Sequence, residues 1–147
     1  MSSTVKRGEM WLEVVTLPVA DVDRAKEFYE GLGWRLDIDF EPGPGVRTVQ
    51  LTPPGSPCSI QFGVGLTSAE PGSAQANFLV APDIEEVRAQ LIERDVDVSE
   101  ISHRDADGEV VSGPDPERRS YASRASFSDP DGNSWVLQEI TERLPGR

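Results

Sequence analysis

The alternation and recurrence of apolar positions along this chain predict most of its elements. Trp11 to Val19 (WLEVVTLPV) is rich in β-branched residues and reads as a strand, with Pro18 near the end where pairing stops. Asp21 is a good helix N-cap, and Val22, Ala25, Phe28, Tyr29 and Leu32 follow at helical spacing until Gly31 and Gly33 end the run. Trp34 to Phe40 (WRLDIDF) alternates strictly. That pattern places Trp34, Leu36, Ile38 and Phe40 on one face and Arg35, Asp37 and Asp39 on the other. Past the turn at Pro42-Gly43-Pro44-Gly45, Arg47 to Leu51 and Cys58 to Phe62 read as two more strands of a hairpin. The first half is therefore β-α-β-β-β.

After a linker rich in Gly and Ser the pattern begins again. Asn77 to Ala81 is a strand, and Asp83 with Glu86 forms a capping box ahead of the helical stripe Ile84, Val87, Leu91. Val96 to Ile101 alternates as a strand. The polar segment from Ser102 to Arg119 reads as a candidate flap, being longer than a compact domain usually leaves idle. Tyr121 to Ser128 and Ser134 to Ile140 flank the hairpin signal Asp129-Pro130-Asp131-Gly132-Asn133. Superposing Asp21 on Asp83 sets Val22 on Ile84, Ala25 on Val87 and Tyr29 on Leu91, so two βαβββ copies in tandem are the simplest account. The expectation is one domain over residues 1–147, made of modules at about 10–63 and 76–141 joined by linker 64–75.

Composition narrows the partners. With 26 Asp and Glu against 14 Lys and Arg, the net charge of −12 repels phosphate backbones and anionic lipid, which argues against nucleic acid and membrane. A solvated acidic surface accounts for the charge; attraction of a cationic ligand is the sharper alternative. Cys58 is the only cysteine, so there is no disulfide framework and no cysteine-based zinc site, in keeping with a reducing cytoplasm. Residues 1–10 are polar and lack the apolar core of a secretory signal. A cytoplasmic protein is expected.

LPVADVDRAKEFYEGLGW (Leu17 to Trp34) and FSDPDGNSWVLQEI (Phe127 to Ile140) resemble the vicinal oxygen chelate superfamily. That superfamily includes glyoxalase I, extradiol dioxygenases, and the fosfomycin and bleomycin resistance proteins. LTPPGSPCSIQFG and DPERRSYASRASF resemble its glyoxalase-like bacterial subgroup. The resemblance implies an α+β fold in which the two modules form a cup-shaped eight-stranded mixed sheet with helices outside, commonly as a homodimer. It also implies four inward positions that carry His, Glu or Gln in the metal enzymes, and these fall on Val14, Gln61, Asn77 and Val136. Two valines offer no lone pair, so no metal and no other cofactor is expected. Glu13 and Glu139 do not substitute, because successive strand residues face opposite sides of a sheet.

Strand alternation places Leu12, Val14 and Thr16, Ser59 and Gln61, Gln75, Asn77 and Leu79, and Ser134, Val136 and Gln138 on the concave side. Of the tryptophans, Trp34 and Trp135 follow the core alternation, and Trp11 stands at the cleft mouth. The candidate ligand-binding set is Trp11, Val14, Thr16, Gln61, Asn77, Arg124, Val136 and Gln138. His103, the sole histidine, and Tyr121 are the candidate acid-base residues. Asp37 and Asp39, on one face of an edge strand, either hold a cation or discourage edge pairing. The expected function is metal-independent enclosure of a small organic metabolite or antibiotic. A glyoxalase-like lyase or isomerase in which His103, Tyr121 or a carboxylate transfers a proton, and a pure protein-interaction domain, are the competing classes.

Overall fold

The computed structural model describes residues 4–147; the first three residues of the polar N-terminal segment lie outside it. The chain forms two compact units that meet in sequence between Glu70 and Pro71.

In the first unit, β1 (Val14–Thr16) leads to α1 (Val22–Gly31), then to β2 (Arg35–Gly43), β3 (Val46–Thr52) and β4 (Ser59–Val64). The sheet order is β1-β4-β3-β2, with β1 parallel to β4 and the other pairs antiparallel. Asp21 caps α1 as expected, its carboxylate accepting from the Arg24 amide at 3.1 Å. Ala25 and Tyr29 on the inner stripe of α1 are buried, and the Tyr29 ring lies 5.1 Å from that of Trp34 and 5.8 Å from that of Phe62. Val49, Leu51, Ile60 and Phe62 complete this core. The first strand is shorter than its composition predicts, ending at Val14 on its N-terminal side, so Trp11 and Leu12 are exposed and the Trp11 indole donates to Glu9.

The expected single apolar face of β2 is corrected by a bulge. Leu36 is in register with Leu51, yet Ile38 is opposite Gln50, which leaves Asp37 as the extra residue. Residues opposed in a sheet share a face. Leu36 therefore sits on the helix-covered side, while Ile38 and Phe40 join Gln50 and Thr48 on the other and are exposed. The two aspartates separate likewise. Asp37 accepts from Thr52 and Arg35, whereas Asp39 lies on the helix side among Arg47 and Lys26.

The second unit contains β5 (Asn77–Ala81), α2 (Ile84–Glu93), β6 (Ser102–Arg104), β7 (Val110–Ser112), β8 (Arg124–Ser128) and β9 (Ser134–Glu139), with sheet order β5-β9-β8-β6-β7. The architecture is α+β with two mixed sheets of four and five strands, so the described residues hold nine strands against the eight expected. Two strands arise in the segment read as a flap, which folds as the β6–β7 hairpin, and the strand expected at 96–101 is absent. The hairpin turn is closed by Asp105, whose carboxylate accepts from the Asp107 and Glu109 amides at 2.9 and 3.0 Å. Val96 and Val98 are buried as a strand pattern requires and Ile101, of opposite parity, is buried too, but these residues form no strand. The Ser99 hydroxyl takes the Ser126 amide at 2.8 Å, and the Arg88 guanidinium takes the Ser99 carbonyl, so side chains occupy groups a ladder would use.

Four carboxylates are held below their ordinary range by cationic neighbours: Asp37 by Arg35, Asp39 by Arg47 and then Lys26, Asp115 by Arg119, and Glu139 by Arg118. A depressed folded-state value means a contribution present above the ordinary value and lost as pH falls through the depressed one. Stability is therefore expected to be level above the ordinary values of 3.8 for aspartate and 4.5 for glutamate and to fall progressively below them. Urea midpoints measured across that window check this; a midpoint that rises on acidification contradicts it.

Candidate binding site

A concavity of about 290 Å³ lies within the second unit, lined by Ser102, His103, Arg104, Val110, Tyr121, Ala122 and Arg124. It brings together both candidate acid-base residues and the candidate ligand residue Arg124. Each is fixed by its element. His103 lies on β6, where alternation turns it away from the face of Ser102 and Arg104, and it is 9% exposed rather than free in a loop. Its Nδ1 is 2.7 Å from the Gly113 carbonyl oxygen. A carbonyl only accepts, so Nδ1 donates in this contact.

Tyr121 is held at left-handed backbone geometry, with φ of 73°. A non-glycine residue there is costly unless its surroundings hold it, and three hydrogen bonds do so. The Tyr121 amide donates to the Glu139 carbonyl at 2.8 Å, Gln138 Nε2 donates to the Tyr121 carbonyl at 2.9 Å, and the phenol oxygen accepts from the Leu144 amide at 3.2 Å. Gln138, a candidate ligand residue, is buried and serves here as a positioning group for Tyr121. The same stretch is pinned further by Arg118, whose guanidinium meets both carboxylate oxygens of buried Glu139 at 2.8 and 2.7 Å and reaches Glu85 at 2.7 Å.

Arg124 opposes Ser102 on one side and Gln138 on the other. Its guanidinium carbon stands 5.2 Å from the centre of the Phe78 ring, a cation-π contact that leaves the N–H edges for hydrogen bonds. Phe78 and Val80 were missed by the sequence reading because β5 has the opposite parity. Asn77 is in register with buried Trp135, and Phe78 with Val136. Asn77 is thus corrected to the face away from Val136, with its amide nitrogen 3.3 Å from the Ser134 carbonyl. Arg104 was also missed; its nearest signal was its place beside the lone histidine.

The first unit gathers the candidates Val14, Thr16 and Gln61 on the sheet face away from α1, in register with or next to Ser59. Gln50 donates to Gln61 at 3.0 Å, and Gln61 donates to Thr16 at 2.9 Å, so the central amide is bonded at both ends. The Thr52 hydroxyl bridges Asp37 and, at 2.7 Å, Ser59. Trp11 stands outside these strands.

The four positions that the resemblance implies for a metal do not offer a full donor set. Val14 and Val136 have no donor atoms, Gln61 is committed to Gln50 and Thr16, and Asn77 faces away from Val136. Among the described residues no three His, Cys, Asp or Glu side chains stand together as ligands. No helix of the described residues is long and apolar enough to cross a membrane.

Two βα-β-rich units, each a mixed sheet backed by one helix, define a class of paired-module α+β proteins. The sequence profile of the Glyoxalase/Bleomycin resistance protein/Dioxygenase superfamily matches residues 11–137, and the chain belongs to that superfamily. Among solved structures it is similar to TnmS3, an antibiotic binding protein from Streptomyces sp. CB03234, at 29% identity and a TM-score of 0.69 over 92% of this chain and 99% of that one. A glyoxalase/bleomycin resistance protein from the same Streptomyces is similar at 31% identity and a TM-score of 0.65, over 87% and 99% of the two chains. A superfamily member from Sphaerobacter thermophilus DSM 20745 follows at 25% identity and a TM-score of 0.66, over 89% and 98%. Comparison with curated proteins gives no match.

Proposed function

We propose that this chain binds a small organic metabolite or antibiotic and does so without a metal ion. The observation that carries the reading is the concavity bordered by His103, Tyr121 and Arg124, about 290 Å³ and just under the usual size range for ligand sites. Two further facts support it. Val14 and Val136, two of the four positions that the resemblance implies for a metal, have no donor atoms, and the similar TnmS3 is an antibiotic binding protein. The reading includes a single domain built of the two units, a homodimer as the family resemblance implies, and a cytoplasmic setting in keeping with the lone cysteine. Val14, Thr16, Gln61, Val136 and Trp11 remain ligand contacts in it, and Gln138 acts by holding Tyr121.

A thermal-shift screen of antibiotics and aromatic metabolites, with and without EDTA, tests the reading. A ligand at a hundredfold its Kd adds about 2.7 kcal/mol of stability, and EDTA is expected to leave that gain unchanged. A screen without a stabilising compound, or a gain that EDTA abolishes, overturns the reading. A second reading, a lyase or isomerase, is favoured by one detail: His103 and Tyr121 both border the concavity. Under that reading His103→Gln abolishes turnover of a bound compound; under binding alone it leaves affinity as it was.

A further inference from the structure

We infer that the concavity of the second unit takes an organic anion, its carboxylate or phenolate oxygens held between Arg104 and Arg124. The inference rests on the small-molecule reading and adds the charge of the ligand, which the net charge of −12 would put at the opposite sign. Lys26, Arg35, Arg47, Arg118 and Arg119 each have a carboxylate within ion-pair distance. Arg104 and Arg124 line the concavity, and among the described residues neither has one.

Their placement is set by the sheet. Ser102 is opposite Arg124, and Arg104 lies two residues beyond Ser102, so both arginine side chains leave the same face. Arg104 gives one N–H to the Gly108 carbonyl at 2.8 Å, and Arg124 rests against Phe78, which directs each head group and leaves further donors open. Guanidinium donors in a fixed fork match the oxygens of a carboxylate, and two such groups on one concavity repel each other until an anion lies between them. A cation, the guest suggested by total charge, meets local repulsion here.

An NMR titration of the ¹⁵N-labelled full chain tests this with three probes of one shape: 3-hydroxybenzoate, the neutral 3-hydroxybenzamide and the cationic 3-hydroxybenzylamine. The benzoate is expected to move the amide signals of Ser102 and Arg124 and to bind at least roughly tenfold more tightly than the amide, the effect of one charge-assisted hydrogen bond. Arg104→Gln and Arg124→Gln should each remove roughly tenfold of that affinity. Both side chains are exposed, and the same spectra report whether the variants stay folded. Equal binding of the three probes, or tightest binding of the amine, overturns the anion inference and leaves the small-molecule reading standing. Silence from all three at millimolar concentration also overturns it, while a neutral or cationic compound from the thermal-shift screen would still support the broader reading.

Discussion

Glu139→Ala is expected to cost the fold about 3 kcal/mol, measured as a shift in the urea unfolding free energy. Glu139 is 1% exposed and accepts from three places: both ends of the Arg118 fork, and the amide of Ile84 at 2.9 Å in the first turn of α2. Removing it strands a buried helix-terminal N–H and releases the segment that carries Tyr121. The figure sits at the low end for a broken buried pair because Arg118 is 40% exposed and recovers solvent. Glu139→Gln keeps an acceptor for Ile84 and should cost less than alanine. Equal stability of Glu139→Ala and the parent contradicts this account of how the Tyr121 segment is held.

Gly72→Ala is the other large effect, at about 2–3 kcal/mol. Gly72 has φ of 83°, which an L-residue adopts at a cost, and a Cβ there would stand 2.1 Å from the Asp131 carbonyl oxygen. That carbonyl belongs to the turn between β8 and β9 and has little freedom to withdraw. Asp129 accepts from the Asp131 and Asn133 amides at 2.9 Å, and Asn133, fully buried, accepts from the Ala74 amide at 3.0 Å. Gly132→Ala provides the control, since its φ is 100° but no atom lies within 4 Å of the added Cβ. Strain alone then applies, and the loss should be smaller. A Gly72→Ala no more destabilised than Gly132→Ala removes the packing argument.

Helices were the most legible elements in the sequence. Asp21 and Asp83 cap them as their spacing implies, because a cap and an apolar stripe are local features that need no partner to be recognised. Strand faces were less legible where parity depends on one residue. The uninterrupted alternation of WRLDIDF conceals the bulge at Asp37, since an inserted residue reverses the face without altering the pattern. At β5, a reading that began from Asn77 missed that Phe78 and Val80 take the side of Val136 and Gln138. The polar composition of residues 102–119 resembled a free loop because its anchors are side chains whose partners are distant in sequence. Asp115 holds Arg119 within the segment, but Arg118 reaches Glu139 and Glu85.

The same non-local logic explains the candidate site. His103, Tyr121 and Arg124 stood out singly as a rare residue, a phenol and a cation; that they border one concavity depends on β6 pairing with β8 and on the left-handed turn at Tyr121. Total charge was a poor guide to the site, since it averages over carboxylates that are paired with Arg35, Arg47, Arg118 and Arg119 elsewhere. Local charge at the concavity has the opposite sign.

Native mass spectrometry of freshly purified protein, with metal analysis of the same sample, tests the central claim most directly. The expected spectrum shows the chain with an organic adduct that persists after EDTA treatment and is exchanged by an added ligand. A stoichiometric zinc, nickel, manganese or iron ion whose removal releases the organic molecule would contradict it.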